Sequence, residues 1–175
     1  VSKLCKAKAW TSIFESYQMI SGSKLKTLPR RGSSMIGLVV ATHGSLAEAF
    51  VDSGRLIVGN IGNVAQLGLF HGDSIEQFEI KIRRAIEQTD EGDGVIVLTD
   101  LLGGSPCNVS ARAIGSLYKD RKLECFYGIN LPIFLEAVTS RSFMDFEQLK
   151  EHMEKIFQDT YGVLSSKIRY SACEE

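Results

Sequence analysis

The hydrophobic pattern from Met35 onward switches repeatedly between short continuous runs and a helical period. Residues 36–44, Ile-Gly-Leu-Val-Val-Ala-Thr-His-Gly, form an apolar run of the kind buried on both faces of a sheet, ending abruptly in Thr42, His43 and Gly44. Ser45-Leu-Ala-Glu48 has the signature of a capping box and predicts a helix from Leu46. Leu46, Ala47, Phe50, Val51, Gly54 and Ile57 make its apolar face, and it ends near Gly59. Residues 64–70 predict a second strand. Ser74 and Gln77 open a second helix, with Ile75, Phe78, Ile82, Ala85 and Ile86 on one side. Residues 95–99, Val-Ile-Val-Leu-Thr, are apolar almost throughout and predict a central third strand. Ser105-Pro106 fits an N-cap with proline at the first helical position, opening a helix to about Leu117 that buries Val109, Ala113, Ile114 and Leu117. A fourth strand follows over 123–127, then a turn from Gly128 to Pro132 and a short helix over 132–138. Asp145 and Gln148 cap a last helix with Phe146, Leu149, Met153 and Ile156 inward.

This βαβαβαβα order predicts a single α/β domain, a mostly parallel four-stranded sheet with helices on both faces. Residues 167–172 are a candidate extra edge strand, so the domain is expected to span 35–175. Residues 1–34 break the pattern. Trp10, Ile13, Phe14 and Tyr17 fit one side of a short helix, while Gly22-Ser23-Lys24 and residues 29–34 read as linker. That segment is read as a basic extension or leader ahead of a start at Met35, with a docking arm as the alternative.

At 175 residues and 44% hydrophobic, the chain suits one well-buried domain. No apolar run reaches membrane-spanning length and no signal-peptide pattern is present, so a cytoplasmic protein is expected. Cys5, Cys107, Cys125 and Cys173 are scattered without a C-x-x-C pair, which argues for reduced thiols over a disulfide framework or zinc site. The net charge of −1 conceals an asymmetry: seven Lys and Arg against Glu15 leave the first 34 residues at +6 and the remainder at −7. An acidic body argues against a nucleic-acid surface and suits a basic protein partner.

The chemistry concentrates where strands one and three end. His43 lies between a strand's carboxyl end and a helix's amino end, the rim where open α/β sheets bind ligands and where helix dipoles favour anions such as phosphate. Asp100, after the third strand, shares that rim and is placed to bind one ring nitrogen of His43, leaving the other nucleophilic. Gly103, Gly104 and Ser105 offer amides and a hydroxyl for phosphoryl oxygens, with Gly44 and Ser45 beside the first helix and Thr42 as a neighbouring donor. Phosphoryl transfer needs little beyond such positioning, charge stabilisation and a nucleophile. His71, in Phe-His-Gly-Asp73, is the rival nucleophile, and His152 reads as solvated helix surface. One His and one Asp are too few for a metal site, and no cofactor is expected.

Three separated segments, IGLVVATHGSLAEAF over 36–50, VIVLTDLLGGSPCN over 95–108 and GINLP over 128–132, resemble enzyme IIA of the mannose family in the bacterial phosphoenolpyruvate:sugar phosphotransferase system. The resemblance covers roughly residues 35–138. It implies that His43 accepts a phosphoryl group from the histidine-containing phosphocarrier protein and passes it to the EIIB component, that Asp100 orients His43 and that Ser105 lies near the phosphoryl group. It further implies a homodimer that exchanges a C-terminal strand and meets the membrane only through EIIC and EIID. Three alternatives stand beside it. One is a regulatory module of the same family in which phosphorylation of His43 controls a partner, and another is a dihydroxyacetone-kinase phosphocarrier of similar fold, from which Gly-Gly-Ser-Pro points away. A receiver domain phosphorylated on Asp100 would need an acidic pair after the first strand, where Ala41-Thr42-His43 has none.

Overall fold

The computed structural model describes residues 35–119 and 121–167. Four parallel strands, β1 (Gly37–His43), β2 (Val64–Leu69), β3 (Val95–Thr99) and β4 (Leu123–Phe126), lie in the order β2-β1-β3-β4. The two central strands are the continuous apolar runs. Leu38 to Ala41 and Val95 to Leu98 are wholly buried, whereas β2 and β4, at the edges, are only half-buried. This is the burial gradient that a sheet covered on both faces requires.

Alternate side chains of β1 and β3 supply two cores. Leu38, Val40, Ile96 and Leu98 pack against α1 (Leu46–Val58), α4 (Leu131–Ser140) and α5 (Phe146–Ile156). Val39, Ala41, Val95 and Val97 pack against α2 (Ile75–Thr89) and α3 (Ser105–Leu117). A 3-10 turn (Phe157–Thr160) and a short α6 (Leu164–Lys167) follow. The strand order reverses between β1 and β3, which makes their carboxyl ends the switch point of the sheet.

Several local expectations are corrected. The Ser45 capping box does not form: Ser45 sits at φ −86°, ψ 8° rather than extended, and its hydroxyl makes no cap bond. Its neighbour Gly44, at φ +54°, turns the chain so sharply that the helix starts without one. Gly104, not Ser105, is the N-cap of α3, with Ser105 and Pro106 already helical. On α1 the buried stripe is Ala47, Val51 and Gly54, while Leu46 and Ile57, a quarter-turn to one side, are exposed. α4 is longer than 132–138 because Asn130 caps it, its Oδ1 accepting from Ile133 N at 3.0 Å. His152 is not solvated surface; its Nε2 lies 2.7 Å from Glu136 Oε1 on α4, half-buried. The full capping box at Asp145 and Gln148 is present as expected. Of the candidate strand over 167–172, Lys167 closes α6 and the rest lies outside the described residues, as does the whole of the 1–34 segment and its expected short helix.

Candidate functional site

β1 and β3 pair with Ala41 opposite Thr99, so the chain leaves β3 at Asp100 just where β1 reaches His43. Asp100 Oδ2 accepts two hydrogen bonds from that one residue, from the backbone N of His43 and from its ring Nδ1, each at 2.9 Å. The other oxygen, Oδ1, accepts from Leu101 N at 2.9 Å. The β4–α4 turn braces this arrangement from behind. Gly128 N donates to the Asp100 carbonyl at 3.1 Å and Ile129 N to the Thr99 carbonyl at 3.0 Å, with Gly128 at φ +75°. The three sequence segments thus converge on one rim.

Burial alone would raise the Asp100 pKa, but the N–H of His43, its ring and the N–H of Leu101 together outweigh that and hold it below the usual carboxylate range. An ionised carboxylate only accepts, so Nδ1 carries a proton, and in the neutral ring Nε2 is the nitrogen with the lone pair. The Asp100 side chain is 14% exposed and that of His43 is 46% exposed, so the carboxylate is sheltered while the ring is open to solvent.

Each remaining candidate has a definite place. Gly103, at φ +75°, and Gly104 form a turn closed by Gly104 N donating to Leu101 O at 3.1 Å. The Gly104 N–H, expected to face a phosphoryl group, is here engaged within the turn. A Cβ on Gly104 would lie 2.8 Å from His43 Cε1, so this glycine backs directly on the ring. In the first turn of α3 the N–H groups of Ser105 and Cys107 have no intrahelical acceptor, and the Ser105 side chain is exposed beside them. Gly44 gives its N–H to Leu69 O at 2.8 Å, which removes it too from the free amides. Ser45 is exposed at the start of α1. Thr42 is wholly buried, its hydroxyl 3.4 Å from the His43 carbonyl, and cannot touch a phosphoryl group. His71 is exposed in the turn after β2 on the same rim, but Asp73 binds Phe70 N at 2.8 Å instead of the His71 ring. Leu46, Phe70, Leu101 and Leu102 are exposed around this rim.

Two contributors escaped the sequence reading. A Cβ at Gly68 would collide with the Gly44 carbonyl, so the turn after β1 requires glycine on the neighbouring strand. The signal was present, since a lone glycine inside a strand pattern marks close backbone approach. Asn108 reaches back from α3 to the Gly103 carbonyl at 2.8 Å, and nothing in its own position signals that.

The fold and this couple define a class: a doubly wound α/β protein presenting an acid-oriented histidine at the switch point of its sheet. The chain belongs to the EIIA-man family, described as PTS system fructose IIA component, which matches residues 37–154. It is 28% identical over 134 residues to the fructose-specific EIIA component of Bacillus subtilis, covering 77% of this chain and 90% of that one. The crystal structure of EIIA from Streptococcus agalactiae superposes with a TM-score of 0.69 at 28% identity, over 75% of this chain and 99% of that chain. The mannose-specific EIIAB component of Escherichia coli matches at 28% over 106 residues, 61% of this chain and 32% of that larger protein. Membership places the chain in the phosphotransfer machinery of the sugar phosphotransferase system. No helix among the described residues is long and apolar enough to cross a membrane.

Proposed function

We propose that the chain is a phosphoryl carrier in which His43 Nε2 takes the phosphoryl group from the histidine-containing phosphocarrier protein and gives it to an EIIB component in the cytoplasm. The observation that carries this reading is the bond between Asp100 Oδ2 and His43 Nδ1. The Nε2 lone pair attacks the phosphorus of the donor's phosphohistidine; a new P–N bond forms as the bond to the donor ring breaks and its electron pair stays with that ring. The Nδ1 proton does not leave, and Asp100 balances the positive charge that the ring acquires. Transfer to EIIB repeats the exchange with His43 as the leaving ring. The Ser105 N–H, which has no intrahelical acceptor, and the exposed Ser105 hydroxyl are the groups that would receive phosphoryl oxygens on this reading.

Exposed Leu46, Phe70, Leu101 and Leu102 around His43 fit protein partners, because an open apolar rim suits a docking face more than a small-molecule pocket does. The Escherichia coli relative, named an EIIAB component, supports EIIB as the acceptor. The Asp100 phosphoacceptor alternative is disfavoured, since three N–H groups already occupy that carboxylate. A homodimer is part of the reading: the outer edge of β4 pairs with no strand among the described residues, and a groove of about 430 Å³ runs beside it between Phe126 and Phe157.

Incubation with phosphoenolpyruvate, enzyme I and the phosphocarrier protein, followed by intact mass and peptide mapping, tests the reading. One acid-labile phosphoryl group on His43, absent from His43→Ala, is expected. Normal acceptance by that variant would overturn it.

A further inference from the structure

A peptide group has one donor and one acceptor, and in the Gly103–Gly104 peptide both are occupied from within the same turn. The Gly104 N–H donates to the Leu101 carbonyl at 3.1 Å. The Gly103 carbonyl accepts from the Asn108 side-chain amide at 2.8 Å. Asn108 is itself anchored in α3, where its backbone N donates to the Gly104 carbonyl at 3.0 Å. Two successive glycines leave this turn few steric restraints, so the Asn108 amide, by tying the Gly103 carbonyl to α3, helps to set where the Gly104 Cα lies. What depends on that position is the ring, because the Gly104 Cα backs on His43 so closely that a single added carbon would reach Cε1.

We propose that Asn108 is a positioning residue: its side-chain amide locks the Gly103–Gly104 peptide and so fixes the wall against which the His43 imidazole rests. Asp100 restrains the ring through Nδ1 on one side, and the turn limits its swing on the other. Asn108 touches neither the ring nor the phosphoryl group and acts only through the turn. The proposal rests on the phosphoryl-carrier reading of His43 for its kinetic consequence, though not for its geometry.

The test uses the full chain with Asn108→Ala and Asn108→Asp. The aspartate keeps the shape of the side chain but offers the Gly103 carbonyl no donor when ionised. Single-turnover acceptance from the phosphorylated phosphocarrier protein is expected to slow roughly tenfold in both variants, the scale of a small misplacement of a reacting group. The KM for the phosphocarrier and the melting midpoint are expected to stay unchanged. Wild-type rates in Asn108→Asp would overturn the proposal, as would rate losses matched by loss of folded protein. If the wild-type chain accepts no phosphoryl group from donors of confirmed activity, the carrier reading fails on its own. The positioning role is then decided by the ¹H–¹⁵N spectrum of the His43 ring: displaced resonances in both variants support it, and an unchanged spectrum overturns it.

Discussion

The two ends of the sheet use the same device and leave it in opposite states. At the carboxyl rim, Asp100 gathers N–H groups from His43 and Leu101. At the amino rim, Arg141, 4% exposed, donates to the carbonyls of Ile36 at 3.1 Å, of Asn63 at 2.8 Å and of Gly62. Burial pulls its pKa down to about 10, with Glu91 opposing, and it remains cationic at neutral pH. Each charge is compensated mainly by backbone groups. The difference is that every Arg141 partner is a main-chain carbonyl, whereas one Asp100 partner is an imidazole with a second nitrogen free. Bonds to main-chain carbonyls alone can only hold the fold. Including one imidazole in the set is what, on the carrier reading, would make the same arrangement reactive.

The sharpest way to break this contrast is Asp100→Asn. Loss of the carboxylate is expected to slow phosphoryl acceptance by about 10²- to 10⁴-fold, because the ring loses its fixed tautomer and the balance for its charge. Quench-flow transfer from the phosphocarrier protein measures this, and a change under threefold would put the orienting role elsewhere. Arg141→Met should do the converse: it strands buried carbonyls, costing about 3 kcal/mol or more and lowering the melting midpoint by roughly 10 °C. Its transfer rate below that midpoint should match wild type; a rate defect as large as that of Asp100→Asn would erase the distinction between the rims. Gly104→Ala is expected to push the imidazole aside and slow transfer roughly tenfold, with a modest loss of stability because its Cβ would also crowd the Leu101 carbonyl at 3.2 Å. The smallest effect concerns pH. The Asp100 pKa is lowered by folding, so its ionised form stabilises the protein above the ordinary carboxylate range, and that contribution vanishes as pH falls through the lowered value. The urea-midpoint gap between wild type and Asp100→Asn should therefore close in acid. A gap that widens there would reverse the sign.

Most of the frame was legible because it is local. Burial on both faces leaves continuous apolar runs in β1 and β3, and the βα alternation forces their carboxyl ends onto one rim, which brings His43 to Asp100. The misreadings fall where a residue's role is set by its neighbours' backbone or by distant segments. Ser45 has cap chemistry, but Gly44 places it in the wrong conformation. Arg141 drew no reading at all, because its carbonyl partners come from the residue before β1 and the loop before β2, far away in sequence. His152 likewise acquires Glu136 only when α5 folds back on α4.

Asp100 grips His43 at two points, the main-chain nitrogen and the ring, and so closes a small chelate around the torsions between them. A side chain this exposed would ordinarily sample several rotamers, and ordering it on contact would cost an incoming protein about 1 kcal/mol of entropy. Here the fold has already met that cost. On the carrier reading proposed above, donor and acceptor would meet the same ring in the same pose, and neither transfer would wait on its reorientation.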